Sequence, residues 1–417
     1  MPNKKITLPN GVRIVSEPLS HVKSVSLGIW FANGSRHEAR SEYGFAHFLE
    51  HMCFKGTHSR SATDIANEID DLGGNINAFT SKDQTCFHAK VLDEHLPHLI
   101  ALLSDMVINS QLLRSDIVNE RKVILDEIDM YEDSTEEVAN ERLFSSIYAK
   151  SNLAHPVLGT KTEVNGVGQA ALNRYHQSRF TGGNIVIAIA GSFKKRDLTQ
   201  LSEAFGTIPG GANVTPEIPR FTPCVKVKRK PGEQNHIAFG NPGVSLVNGE
   251  RFTFRLLASI LGGGMSSRLF QRLREDLGLC YSIYSYLSAM ADCGFIGTSV
   301  ALSPDSEEKA LAAYRDEISR LLDDGVTAVE LERAKIQYKS SILMSLEATN
   351  NHMQLIAGSE LVHGTETSVE ETIASYLAVS EADVLSAIRK AYGTGSTALS
   401  AVGDVHTESW YRKRLGN

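Results

Sequence analysis

Two histidines and a glutamate lie close together in the stretch GFAHFLEHMCFKGT, residues 44–57. His47 and His51 are four residues apart, and Glu50 directly precedes the second histidine. The apolar residues of this stretch predict a helix over 44–54, which places all three side chains on one face. Two imidazoles at this spacing can both ligate zinc, and a neighbouring glutamate can accept a proton from water. The order HxxEH is typical of a catalytic zinc site, and a chance arrangement on a surface or core helix is the alternative interpretation of the motif by itself.

A catalytic zinc ion usually has three protein ligands, so a further ligand is expected elsewhere. The acidic segment 119–133 carries Glu120 and Glu127 seven residues apart, on one face of a predicted helix. The neighbouring surface of that helix is expected to face the core because it carries Val123, Ile124 and Ile128. A glutamate there needs a partner, and a metal or a metal-bound histidine provides one. A solvated acidic face is the alternative interpretation.

Composition places the chain among globular proteins large enough for two domains: 417 residues, 45.6 kDa, 42% hydrophobic and 22% charged. The net charge of −7 argues against a nucleic-acid partner. The longest apolar run, 185–190, is too short to span a membrane and predicts a buried strand. The N-terminal segment lacks the features of a secretory signal, and the five cysteines form no CxxC pair. These observations predict a cytoplasmic protein with reduced thiols.

An internal repeat organises the chain. The segment from Asp71 and the segment from Asp276 both begin with DLG and continue with two strand patterns and an amphipathic helix. A proline-rich segment lies between the halves, which predicts domains at 1–215 and 231–417 with a linker at 216–230. The pattern predicts an α+β fold of two homologous domains, each a mainly antiparallel sheet with helices packed on one face.

The second copy of the repeat lacks the residues of the zinc site. Matching Glu120 to Glu332 places Lys339 opposite Glu127, and the helix before Gly262 contains neither histidine nor acid. We therefore expect one catalytic and one supporting half.

The chain resembles the pitrilysin-type (M16) zinc metallopeptidases, in particular bacterial relatives of the mitochondrial processing peptidase β-subunit. The resemblance extends over nearly the whole chain and is strongest in GFAHFLEHMCFKGT and ERKVILDEI. It implies that His47, His51 and Glu127 bind zinc. Glu50 would be the general base, and Glu120 would orient a ligand histidine.

The same resemblance implies how a peptide substrate is held. Asn77, Ala78, Phe79 and Thr80 match the family's edge strand, where an extended substrate adds by main-chain hydrogen bonds. In the second half, Arg274 and Tyr281 match residues that reach the substrate backbone and the developing oxyanion. A core position in a strand is the alternative for Tyr281.

The resemblance also implies a dimer that encloses a chamber for unfolded peptides. The partner would be a second copy or a catalytically silent homologue, and this chain would be the active subunit. An acidic run follows Glu127 and would favour cationic, presequence-like peptides, although a solvated helix face explains it equally well: Asp129, Glu132, Asp133, Glu136 and Glu137. Two other functions make different predictions. A non-catalytic binding subunit would have a broken metal motif, and a structural zinc site would have four protein ligands and no need for Glu50.

Overall fold

The computed structural model describes residues 4–211, 214, 216–365 and 367–415. The chain divides into two compact units, neither of them continuous in sequence. The first unit comprises Met1–Ile128, His155–Pro216 and Met344–Thr367, and the second comprises Asp129–Ala154, Glu217–Leu343 and Ser368–Asn417. The continuous domains predicted at 1–215 and 231–417 differ from this division, because a segment of each half packs with the other unit.

A six-stranded sheet in the order β1-β2-β6-β3-β5-β4 forms the first unit. Its strands are β1 (Lys4–Thr7), β2 (Arg13–Pro18), β3 (Ser24–Phe31), β4 (Asn75–Thr80), β5 (Thr85–Leu92) and β6 (Ile185–Gly191). Neighbours pair antiparallel except β2 and β6, which are parallel. Every residue of β6 is buried, which confirms the buried strand predicted from its apolar run.

The second unit contains a five-stranded sheet in the order β7-β11-β8-β10-β9. Its strands are β7 (Val225–Arg229), β8 (Asn235–Pro242), β9 (Ser282–Ala289), β10 (Gly294–Leu302) and β11 (Ala398–Gly403). Only β7 and β11 pair in parallel. The predicted linker 216–230 therefore contains a strand, because Val225 is fully buried in the core and the VKVKR alternation suits a sheet edge.

The helices of the first half are α1 (Phe45–Met52), α2 (Ala62–Asp71), α3 (Leu96–Ile108), α4 (Arg114–Asp133), α5 (Thr135–Ile147), α6 (Lys161–Gly166), α7 (Gln169–Arg179) and α8 (Lys195–Gly206). Those of the second half are α9 (Arg251–Gly262), α10 (Glu307–Asp324), α11 (Ala328–Ser345), α12 (Thr349–His363), α13 (Val369–Leu377), α14 (Glu381–Tyr392) and α15 (Glu408–Leu415), together with a π-helix at Phe270–Asp276. None of the helices in the described ranges has the length and apolarity required to cross a bilayer.

Each sheet has a large core on one face and a single long helix on the other. Along β3, Ile29 and Phe31 face the large core, whereas Trp30 packs with Met353 and Ile356 of α12. In the second unit, α5 occupies the corresponding position against β8 and β11. The predicted α+β class with two mainly antiparallel sheets is confirmed, with one helix added on the second face of each sheet.

The order of elements repeats as the sequence predicted. The run β4-β5-α3-α4 in the first half corresponds to β9-β10-α10-α11 in the second. The glycine of each DLG triplet has a left-handed backbone, with φ of 59° at Gly73 and 58° at Gly278. A residue with a side chain is disfavoured there, which explains why both copies carry glycine.

Candidate metal centre

The helix α1 presents its apolar side to the core and its polar side to α4. It begins after Gly44, whose φ of 84° turns the chain into the helix, and ends at Met52. Phe48 and Leu49 are at most 1% exposed and anchor the helix in the large core. The helix predicted over 44–54 is thus present and slightly shorter.

His47, His51 and Glu127 lie together, although Glu127 comes from a different helix. The donor atoms that these residues offer all lie within 4.8 Å of one another. Glu127 Oε2 is 3.6 Å from His47 Nε2 and 3.7 Å from His51 Nε2. These distances are too long for direct hydrogen bonds. The three atoms therefore face a common point without forming hydrogen bonds to one another.

The separation of the donor atoms fits a small ion. A tetrahedral zinc ion with ligands at about 2.1 Å holds neighbouring donor atoms about 3.4 Å apart. Two imidazoles and one carboxylate are also a donor set typical of catalytic zinc sites, which leave one position open. The residues present therefore fit the predicted metal.

Glu120 connects His51 to a lysine. His51 Nδ1 donates to Glu120 Oε1 at 2.9 Å, and Lys55 Nζ lies 2.7 Å from Glu120 Oε2. Burial raises the pKa of Glu120, but the hydrogen bonds from His51 and Lys55 outweigh it and the net shift is downward. The ionised carboxylate keeps the proton of His51 on Nδ1, so Nε2 remains free to bind a metal.

His47 lies in a different environment. Burial and the neighbouring His51 lower the pKa of His47 to about 3, so its ring is neutral at pH 7 and can act as a ligand. Its Nδ1 is buried and has no hydrogen-bond partner in the part of the chain that the structure describes. Only one of the two histidines is therefore oriented by a carboxylate.

Glu50 is held beside the three donor residues by the edge strand β4. Thr80 Oγ1 donates to Glu50 Oε2 at 2.6 Å. Burial raises the pKa of Glu50, with a smaller opposing effect of the Thr80 hydrogen bond. A raised carboxylate pKa suits a group that takes up and releases a proton near neutral pH.

The orientation of α4 is partly as expected. Its buried residues are Ile117, Glu120, Ile124 and Ile128, which follow one helical stripe. Val123 was expected on this stripe but is 49% exposed, because it lies one position away from Ile124 and turns toward solvent. Glu120 is thus part of the buried face, and Glu127 lies at its border.

The predicted substrate strand is β4, at the edge of the first sheet. Asn77 is exposed, whereas Ala78, Phe79 and Thr80 are half-buried. The N–H of Ala78 donates to the side-chain oxygen of Asn77 at 2.8 Å. Any peptide that paired with this N–H would have to displace that oxygen.

Arg274 and Tyr281 lie in the second unit. Arg274 belongs to the π-helix Phe270–Asp276, and its guanidinium is 4.8 Å from the ring centroid of Phe270. It is also 6.0 Å from the ring centroid of Tyr281, whose residue is 72% exposed. Tyr281 is therefore not a core residue, which removes that alternative.

Sequence reasoning missed two residues around α1. Lys55 follows His51 by four residues, the same spacing that separates His47 from His51. That spacing was the sequence signal that could have identified Lys55. Glu38 is fully buried and accepts hydrogen bonds from backbone amides at the start of α1. Nothing in the local sequence distinguishes this glutamate from Glu42, which is only half-buried.

Two family descriptions match successive segments of the chain. Residues 13–161 match the family described as insulinase (peptidase family M16), and residues 167–338 match the peptidase M16 inactive domain. The second match agrees with the absence of the metal-site residues from the second copy of the repeat.

Whole-chain relatives give the same result. The uncharacterized zinc protease YmxG of Bacillus subtilis is 37% identical, over 89% of this chain and 91% of the relative. An uncharacterized zinc protease of Streptomyces coelicolor is also 37% identical, over 96% of this chain and 89% of the relative. A crystal structure of a peptidase M16 inactive domain from Pseudomonas fluorescens shares the fold, with a TM-score of 0.91, 19% identity and coverage of 98% and 99%. The chain belongs to peptidase family M16.

Proposed function

We propose that this protein is a zinc-dependent endopeptidase that hydrolyses unfolded or extended peptides. The observation that carries the proposal is the convergence of His47, His51 and Glu127 beside Glu50. The names of the relatives, zinc proteases, support the choice of metal and of reaction. A structural zinc site is a poorer explanation, because the described residues offer three ligands at this point rather than four.

Each residue of the site would have a separate role in peptide hydrolysis. His47, His51 and Glu127 would hold the zinc ion, with Glu120 fixing the ring of His51. When bound, zinc would supply Lewis acidity toward water and a peptide carbonyl. Glu50 would take a proton from the attacking water and pass it to the leaving amine, while Thr80 orients the carboxylate.

Two substitutions test the assignment. Glu50→Gln removes the base but no ligand, so we expect normal zinc content and a loss of about 10²–10⁴-fold in kcat. His51→Ala removes a ligand, so zinc and activity should be lost together. Metal analysis and hydrolysis of an unstructured peptide, measured on the same preparations, separate the two effects.

Glu94→Gln is the matched control, because the Glu94 side chain is 72% exposed and should influence neither measurement. A Glu50→Gln protein with full activity would exclude Glu50 as the base. A purified native protein without affinity for zinc would exclude the whole proposal.

We propose further that an extended peptide adds to the free edge of β4 at Asn77–Thr80. Edge strands offer unpaired main-chain groups that suit such a ligand. Arg274 and Tyr281 are proposed to contact the same substrate, and the exposure of Tyr281 supports this role. Tyr281→Phe should lower kcat by more than it changes KM if the hydroxyl donates to the developing oxyanion.

The proposed working form is a dimer, either of two copies or with a non-catalytic homologue. The family resemblance supports this proposal, as does the single candidate metal site found among the described residues of the two halves. The acidic run after Glu127 is proposed to favour cationic peptides.

A further inference from the structure

Glu38 makes contacts that an exposed acid would not make. Its side chain is 0% exposed. Oε2 accepts the N–H of Gly44 at 2.9 Å, and Oε1 accepts the N–H of Ala46 at 2.6 Å. Burial raises the pKa of Glu38 to about 8, and the two hydrogen bonds have a smaller opposing effect. Both carboxyl oxygens of Glu38 thus accept backbone N–H groups at the start of α1.

The helix that Glu38 contacts receives no side-chain cap from its own N-cap residue. Gly44 occupies the N-cap position of α1 and has no side chain to accept a hydrogen bond. The helix has only eight residues, and short helices depend on tertiary contacts for their stability. Ala46 immediately precedes His47, so Glu38 fixes the turn that carries the first candidate metal ligand.

The loop that carries Glu38 is also attached to the turn that follows β4. The N–H groups of Ser35 and Arg36 donate to the carbonyl oxygens of Ser81 and Lys82, each at 3.0 Å. Gly34 lies so close to this turn that an added Cβ would meet Ser81 O at 2.3 Å. The segment 34–38 thus joins the end of the edge strand to the start of α1.

We propose that Glu38 is a positioning residue, which fixes α1 relative to β4 so that His47 and His51 meet Glu127. A side chain with two acceptor oxygens suits this position because each oxygen of Glu38 accepts an amide N–H. Glutamine has a single acceptor oxygen, and its NH₂ group would face the other N–H. Aspartate keeps both carboxyl oxygens but is one methylene shorter and cannot reach both amides from the same backbone.

This inference rests on the proposed zinc site, and its test measures zinc binding directly. Glu38→Gln should weaken zinc affinity about 10–100-fold, as loss of an orienting contact does in other metal sites. Glu38→Asp should show a smaller loss. Affinity would be measured by competition with a chelator, and the absorption bands of the Co²⁺-substituted protein should shift in both variants. With saturating zinc, kcat should fall while KM stays within about twofold, because β4 keeps its own attachments.

Asp197→Asn provides the matched control. Asp197 is also buried in the first unit and accepts a backbone N–H, that of Lys194, at the start of α8. Its replacement should lower stability but leave zinc affinity and the Co²⁺ spectrum unchanged. If Asp197→Asn weakened zinc binding as much as Glu38→Gln, the effect would be general destabilisation and the inference would be wrong.

The two variants of Glu38 also protect the test against misfolding. If Glu38→Gln does not fold, Glu38→Asp still tests the positioning role of Glu38. Wild-type zinc affinity in Glu38→Asp would overturn the inference. Failure of the inference is distinct from failure of the proposed function. In the first case the native protein binds zinc and cleaves peptides while the Glu38 variants match it; in the second the native protein itself does not bind zinc.

Discussion

At the scale of single residues, the candidate site depends on carboxylates with different surroundings. Glu120 is paired with Lys55 and His51, which lowers its pKa. Glu50 and Glu127 are desolvated, and burial raises the pKa of each. Because the environments differ, three glutamates of the same type can serve as an orienting group, a base and a ligand.

Replacing Glu120 tests the orienting role. Glu120→Gln cannot hold the proton of His51 as firmly and leaves Lys55 without its counter-charge, so zinc affinity should fall about 10–100-fold. Equilibrium competition with a chelator measures the change. Glu332→Gln is the control, since Glu332 is the matching position of the second half and its side chain is 62% exposed. Equal zinc affinities in the two variants would show that Glu120 does not orient His51.

At the scale of elements, the main feature is that each sheet is completed by a helix from the other half of the sequence. The helix α12 follows α11 in the second half but packs on β2, β3 and β6. In the same way α5 follows α4 and packs on β8 and β11. Both helices occupy the sheet face opposite the large core. The internal repeat therefore extends to these two helices, each of which packs on the sheet of the other half.

The exchange predicts a stability effect from a distant residue. Met353 of α12 is fully buried against the first sheet. Met353→Ala should therefore lower the free energy of unfolding by about 2–5 kcal/mol. Denaturant unfolding, followed by the fluorescence of Trp30 in the same cluster, measures it. The exposed neighbour Gln354→Ala should change stability by less than about 0.5 kcal/mol. An unchanged midpoint for Met353→Ala would contradict the packing.

A pH effect is expected at the start of α11. Glu330 accepts hydrogen bonds from Arg268 Nε at 2.6 Å and Nη2 at 2.8 Å, and from Thr327. Burial raises the pKa of Glu330, but these hydrogen bonds outweigh it and lower the pKa to about 2. A lowered folded-state pKa means that the ionised group stabilises the fold above about pH 4.5 and that this contribution is lost as the pH falls toward 2.

Arg268→Met should remove most of this dependence. Thermal unfolding measured between pH 6 and pH 3 should show a smaller acid-induced loss of stability in the variant than in the native protein. Arg320→Met is a suitable control, because Arg320 is more than half exposed and lies 3.7 Å from Glu317 rather than against Glu330. Parallel pH profiles for Arg268→Met and the native protein would contradict the assignment.

At the scale of the whole molecule, duplication is combined with asymmetry. Among the described residues, the first unit contains the group His47, His51 and Glu127, and the second contains no comparable cluster. Lys339 lies on α11 where the repeat places the counterpart of Glu127 on α4. The second half therefore has the fold of the first without its ligand set.

The proposed dimer predicts a mass and a stoichiometry. Light scattering of the native protein should give about twice 45.6 kDa. Metal analysis should give one zinc ion per chain if two copies associate, since the described residues of each chain hold one ligand group. A zinc-loaded, fully active monomer would exclude the dimer as the working form.

The sequence by itself determined the local parts of this protein. The common face of His47, Glu50 and His51 follows from their spacing and the helical period. The buried strand β6 follows from its apolar run. The two DLG segments likewise predicted the two strand pairs and the helices that follow them. Such patterns are predictable because the residues involved are neighbours along the chain.

Only the tertiary structure decided how distant segments meet. Glu127 and Glu120 approach α1 from more than 65 residues away, and Glu38 caps that helix without any local pattern to mark it. The exchange of α5 and α12 is equally invisible in sequence, because neither helix carries a local pattern that specifies the sheet it will cover. Which sheet each one covers is set by the packing of the whole chain, where small differences among many contacts decide between alternatives.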